Sequence, residues 1–304
     1  MTDVVILAEV EALVAKARRY EYVAFSRTIT AKDSGQVVLR CMGAGGGGAW
    51  ANTARGGNGG TVATKVITVA AGDQLVVTIP AGGDGGGASN QPGSTGGTLT
   101  IERSGVTLIS IPGGNGGPLS GAPTNNAAPT GADWYVLGGL GGNGSGSGGG
   151  GAMIVEGGTV AGRGGNNDYS GGGGALGNGD DGSDNHGGGS ITNATSAGPG
   201  NGFLTPEMSV LRLAVPTPMP GSAGGFGGGA GGSDTGGAGG FGGGGGGAGT
   251  DGGGAGGFGG GGGGAAYGYM GGGGGFGGGG GGGSDGGGAG GQGWVTLEWT
   301  GGAA

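Results

Sequence analysis

Between residues 221 and 293, 49 of 73 residues are glycine, and they come in blocks of similar length. The blocks are 221–232, 236–249, 252–266 and 271–283, with a shorter fifth at 286–293. Short polar or aromatic breaks separate them: Ser233-Asp234-Thr235, Thr250-Asp251, Tyr267 to Met270, and Ser284-Asp285. A flexible linker has no reason to be metered in this way. Collagen needs glycine at every third position, which these blocks do not show. The pattern predicts polyglycine II: extended left-handed helices with three residues per turn and about 3.1 Å rise. Their N–H and C=O groups point sideways and pair with neighbouring helices, as buried backbone requires. Block 271–283 would then span about 40 Å. Phe226, Phe241, Phe258 and Phe276 fall near the middle of their blocks, which predicts an aromatic belt. In an up-and-down bundle, 233–235 and 267–270 would share one tip, with 250–251 and 284–285 at the other.

Ordering glycine costs on the order of 1–2 kcal/mol per residue. A hydrogen bond returns only about 0.5–1.5 kcal/mol. The bundle therefore needs an anchor. Residues 21–111 supply most of the Val, Ile and Leu, in candidate strands at 22–30, 36–42, 61–69, 74–79, 98–102 and 107–111. Leu75, Val77 and Ile79 alternate with Val76 and Thr78, the period of a half-buried strand. Glycine-rich excursions at 43–60 and 81–97 interrupt these strands. A closing strand, 294–299, is expected to pair with them. Residues 112–220 read as decorated glycine-rich loops with one further strand at 208–215. The expected order is a helix over 1–20, a β domain over 21–111, decorated loops over 112–220, a polyglycine II bundle over 221–293 and a closing strand over 294–304. The fold class is thus mostly β with a polyglycine II bundle, a short N-terminal α-helix, and a β-sandwich-like domain closed by the C-terminal strand. Ile6, Val10 and Leu13, continued by Ala17 and Tyr20, form one stripe on the helix. Two heptads are marginal alone. The stripe docks on its own domain, on a sister chain or on a larger assembly.

Composition narrows the function. With 105 glycines in 304 residues, the chain lacks the large apolar side chains for a conventional core of that length. The net charge is −8, and no Lys or Arg follows Arg212. Nucleic acid needs clustered cations, so it is not expected as a partner. One cysteine, Cys41, excludes an intrachain disulfide. Neither a signal peptide nor an apolar run of about 20 residues is visible, so synthesis in a cytoplasm is expected.

One ordered series of residues has a counterpart. A strand is followed by Met42-Gly43-Ala44-Gly45-Gly46-Gly47-Gly48, then Gly56-Gly57-Asn58-Gly59-Gly60, then Val66 to Val69 and Leu75 to Ile79, then Ala81-Gly82-Gly83-Asp84-Gly85-Gly86. This series resembles the glycine-rich domain of bacteriophage tail proteins, a family that often ends in glycine blocks and one last strand, as here at Trp294 to Trp299. The later blocks resemble the tail-fibre adhesins of T-even-like phages, in which polyglycine II helices carry variable receptor-contacting loops. The resemblance covers about 36–301. It implies a virion location on the tail, other tail proteins as partners, a host surface protein or polysaccharide as receptor, and no catalysis. A homo-oligomer is compatible with it. Neither the N-terminal helix nor the early β segment matches those adhesins closely, so the mode of attachment to a fibre is not carried over.

The residues that interrupt glycine are the receptor-binding candidates: Trp134, Tyr135, Asn167, Tyr169, His186, Tyr267, Tyr269 and Met270. Aromatic breaks offer flat amphipathic surfaces at low ordering cost, and equally they suit local packing over glycine. His186 is the one histidine and sits in a polar loop, 180–186, so a His-based catalytic site is not expected. The acids of that loop do not complete a calcium motif, and no metal or cofactor is expected. The alternative is a free structural or ice-binding glycine-helix protein. That would need rows of Thr or Ala on one face, and the sequence does not display them. A disordered, phase-separating chain would leave 221–293 without order.

Overall fold

The computed structural model describes residues 19–51, 54–87, 89–144, 147–152, 163–165, 171–173, 236–239, 244–245, 247, 251–265 and 268–300. The described chain is mostly β. Among the described residues there are nine strands: β1 (Arg19–Val23), β2 (Arg27–Thr30), β3 (Gly35–Met42), β4 (Val62–Val69), β5 (Gln74–Thr78), β6 (Leu99–Arg103), β7 (Val106–Ile111), β8 (Trp134–Val136) and β9 (Trp294–Thr300). They form two antiparallel sheets, ordered β1-β9-β3-β4-β8 and β2-β5-β6-β7.

The alternation read from the sequence decides which face is buried. Val37, Leu39 and Cys41 of β3 face inward with Val295, Leu297 and Trp299 of β9. From the other sheet come Leu75, Val77, Leu99, Ile101, Ile109 and Ile111, and the two faces make one apolar cluster. The closing strand does more than cover an edge. β9 lies between β1 and β3 and pairs with both, so without it the five-stranded sheet loses its continuity.

The expected helix over 1–20 lies outside the described residues except for Arg19 and Tyr20, which belong to β1. The reason is the partner: β9 offers an edge, and Tyr20, Glu21, Tyr22 and Val23 alternate outward and inward along it. Ile6, Val10 and Leu13, and the expected strand at 208–215, lie outside the described residues.

The glycine excursions leave the sheets at one end. β3 runs on into 43–50, the chain turns, and 54–60 returns to β4; residues 81–87 and 91–97 do the same between β5 and β6. These segments are neither α-helix nor strand, and their hydrogen bonds repeat every three residues. Gly45 and Gly48 donate to Gly291 and Gly288, Gly46 and Ala49 to Asn58 and Arg55, and Gly47 and Trp50 to Ser94 and Gln91. The same segment accepts from Gly83 and Gly86, from Gly114 and Gly117, and from Gly280 and Gly283. Three neighbours accept from its N–H groups and three others donate N–H groups to its carbonyls, so one rod touches six. Rods from 43–50, 54–60, 81–87, 91–97, 112–117, 138–142, 147–152, 252–265 and 268–293 meet in this single lattice.

Glycine is required there by contact. A Cβ on Gly45 would overlap the carbonyl of Gly278, on Gly46 that of Asn115, on Gly47 that of Asp84, and on Gly48 that of Gly281. Four consecutive residues thus face three different backbones at close range, Gly45 and Gly48 sharing the segment 277–283. Alanines such as Ala44, Ala49 and Ala54 fit inside, and a larger polar side chain does so by replacing backbone bonds. Asn58, 1% exposed, donates its amide to the Thr124 carbonyl and Asn126 Oδ1, and its Oδ1 accepts from Gly141 N–H. Asn126 Nδ2 in turn donates to the Gly59 carbonyl.

The later glycine blocks correct one expectation. Phe258 and Phe276 do not sit on mid-rod belts; the chain turns back at each of them. Gly259 and Gly277 follow at φ +74° and +71°, a region glycine enters freely. Gly260 N–H bonds to the Gly257 carbonyl and Gly278 N–H to that of Gly275, closing the two turns. The two expected long rods at 252–266 and 271–283 are therefore each folded back on themselves at these turns. The turns are fixed by packing: Phe258 and Phe276 stand 5.6 and 5.5 Å from the Trp294 ring, both edge-on. Met42, Val62 and Ala152 complete that cluster, and Trp134 packs against it. Phe226 and Phe241 lie outside the described residues.

Candidate functional site: the far end of the glycine rods

Halving the rods moves the breaks. With Phe258 and Phe276 held at the sheets, the polar breaks after 265 and 283, and the one before 252, all fall at the opposite end. The turns of the early excursions fall there too. The outcome is one tip where the alternating arrangement had placed two.

Hydrogen bonds lace this tip together. Trp50 and Gln91 exchange backbone bonds of 2.9 and 3.1 Å. The Trp50 indole Nε1–H donates to the Ser284 carbonyl at 2.7 Å. Ser284 Oγ accepts from Gly268 N–H at 2.7 Å. Asp285 N–H donates to the Tyr269 carbonyl, and Gly253 N–H to that of Met270. Gln91 Oε1 accepts from Gly87 N–H. Asn90 and Gly268 take φ of 58° and 87°, so two of these turns use the left-handed region. Beside them Arg55 ties two more loops, donating from Nε to Asn143 Oδ1 and from Nη1 to the Leu119 carbonyl.

What the tip presents outward is sparse. Met270 is 59% exposed, and Asp251, Asp285 and Asn90 are exposed with it, while Tyr269 and Trp50 are half-buried. Among the described residues every Lys and Arg except Arg55 and Arg163 lies in or beside the two sheets, where Arg27–Glu21, Arg40–Glu298, Lys65–Asp133 and Arg103–Asp73 pair. The rods carry exposed Asp84, Asp251 and Asp285. Among the described residues no group of three or more His, Cys, Asp and Glu is placed to hold a metal, and no helix is long and apolar enough to cross a membrane.

The sequence candidates separate on this geometry. Tyr269 and Met270 are at the tip. Trp134 and Tyr135 are not: they belong to β8 and pair with Thr64 and Ala63 at the edge of the five-stranded sheet. Tyr135 is 44% exposed there. Asn167, Tyr169, His186 and Tyr267 lie outside the described residues. Sequence reasoning missed Trp50, Gln91, Ser284 and Asp285 as one cluster. The available signal was Trp50 itself, a large residue ending a glycine block as Tyr267 does. No protein-family model matches this protein, and no curated protein matches it.

Proposed function

We propose that this protein is a phage virion protein of the tail tip or tail fibre, which binds a host surface receptor through the far end of its glycine rods. The supporting observation is the convergence of short polar loops at that one end, each held by a rod bonded to its neighbours. A rigid scaffold carrying loops is the usual setting for a binding site. The rods themselves we read as polyglycine II helices, on their three-residue hydrogen-bond period and extended backbone. A rod of seven residues then reaches about 20 Å. The roles are these: Trp50, Tyr269, Met270 and Asp285 form the contact surface, with Tyr267, Asn167, Tyr169 and His186 as further contributors. The N-terminal segment, through Ile6, Val10 and Leu13, attaches the protein to other tail proteins. The chemistry is adhesion, without a catalytic centre. The exposed carboxylates at the tip disfavour a bare polyanion and suit a surface protein loop or a neutral glycan.

Adsorption tests this reading. The purified protein is added to host cells before phage, and blocking of adsorption is measured for wild type, for Met270→Ala with Asp285→Asn, and for Tyr135→Ala. The tip pair is expected to lose blocking by about tenfold, the loss of one or two good contacts, and Tyr135→Ala to keep it. Equal blocking by the tip pair, with loss in Tyr135→Ala, would move the site to the sheet edge.

One observation favours the second reading, a free ice-binding protein. Rods 236–239, 252–257, 271–275 and 286–292 bond side by side, and Ala238, Ala255 and Ala289 are exposed along them. This is an alanine row that the sequence did not display. The exposed Asp84 on the adjoining rod, 81–87, interrupts it. Inhibition of ice recrystallisation by the purified protein would favour this reading over adhesion.

A further inference from the structure

We propose that Asn143 is a site of spontaneous deamidation in the folded protein, activated by Arg55. Three Asn-Gly pairs lie among the described residues: Asn58-Gly59, Asn115-Gly116 and Asn143-Gly144. In this reaction the glycine nitrogen attacks the asparagine Cγ. The bond from Cγ to Nδ2 breaks, ammonia leaves and a succinimide ring closes; water then opens the ring to aspartate or isoaspartate. Glycine is the favoured following residue because no Cβ crowds its nitrogen.

The three pairs differ in what holds them. Asn58 is 1% exposed with both ends of its amide engaged, and Gly59 N–H is bonded to the Gly139 carbonyl. Asn115 Nδ2 is drawn toward the carbonyls of Thr124 and Asn125 and the Thr124 hydroxyl. Asn143 is exposed, and its Oδ1 accepts from Arg55 Nε–H at 2.7 Å. As the nitrogen attacks, negative charge develops on that oxygen, where a cationic donor already stands. Arg55 is held in place by its second bond, Nη1 to the Leu119 carbonyl at 2.6 Å. Gly144 N–H donates to Ser147 Oγ at 3.0 Å, a single bond to a side chain that opens before the nitrogen attacks. The product carboxylate faces the same guanidinium and gains a charge-assisted bond. The change adds a negative charge beside the tip, and in the isoaspartate form it lengthens the backbone of the turn after 138–142. It requires no particular reading of the protein's function.

The test is peptide mass mapping of the full-length protein after incubation in mildly alkaline buffer, folded and in urea, with isoaspartate detected by enzymatic methylation. Asn143 is expected to convert faster folded than unfolded, and Asn58 and Asn115 only when unfolded. Arg55→Ala is expected to slow Asn143 about tenfold, the factor for one charge-assisted hydrogen bond. Conversion of Asn143 no faster in the folded protein than in urea would overturn the proposal. An unchanged rate in a folded Arg55→Ala variant would overturn the role given to Arg55.

Discussion

At the residue scale, the rods distinguish two kinds of glycine. Gly47 faces the Asp84 carbonyl so closely that a Cβ has no place. Gly273 meets only the Ala289 carbonyl, at 3.7 Å. Gly47→Ala should therefore destabilise the protein by about 2–3 kcal/mol, as overpacking does. Gly273→Ala should stabilise it by about 0.4–1 kcal/mol, because the unfolded state loses freedom. Urea unfolding of both variants measures the difference, and equal effects would mean that the rods are not packed as described. Cys41 gives a second residue-level expectation. Burial pushes its thiol up from 9.0 to about 12. The folded protein then keeps a proton that the unfolded one releases. Its contribution is complete below pH 9.0 and is lost as the pH rises toward about 12. The fall in stability across that window should be steeper in wild type than in Cys41→Ala.

At the element scale, the closing strand joins the two halves of the structure. Its inward residues, Val295 and Leu297, complete the apolar cluster, while Trp294 receives the turns at Phe258 and Phe276. Trp294→Ala should cost about 2–4 kcal/mol, from lost aromatic contact and the cavity left behind, and should loosen both Phe turns. A protein truncated after Gly293 should not fold its five-stranded sheet, which limited proteolysis would reveal. Several of these elements were legible in the sequence. Alternation marked β3, β4, β5 and the closing strand, because a strand with one buried face must alternate. The turns at Phe258 and Phe276 were not legible. Inside a glycine run every residue can take positive φ, so nothing local marks which one will turn. The choice is made by Trp294, whose aromatic face accepts Phe258 and Phe276. Trp50 escaped for a related reason: its partner Ser284 lies 234 residues away.

At the scale of the whole molecule, two materials divide the work. The apolar sheets supply the stability that glycine cannot, and the rods extend their hairpins into a lattice with six neighbours around residues 43–50. Tip loops are tied by that lattice instead of by a core. Hydrogen exchange followed by mass spectrometry tests this claim most directly. Peptides covering 45–49 and 277–283 should exchange as slowly as those of β3 and β9, since their N–H groups are bonded and buried. Exchange of those glycine amides at the rate of an unstructured peptide, beside protected strands, would contradict the account.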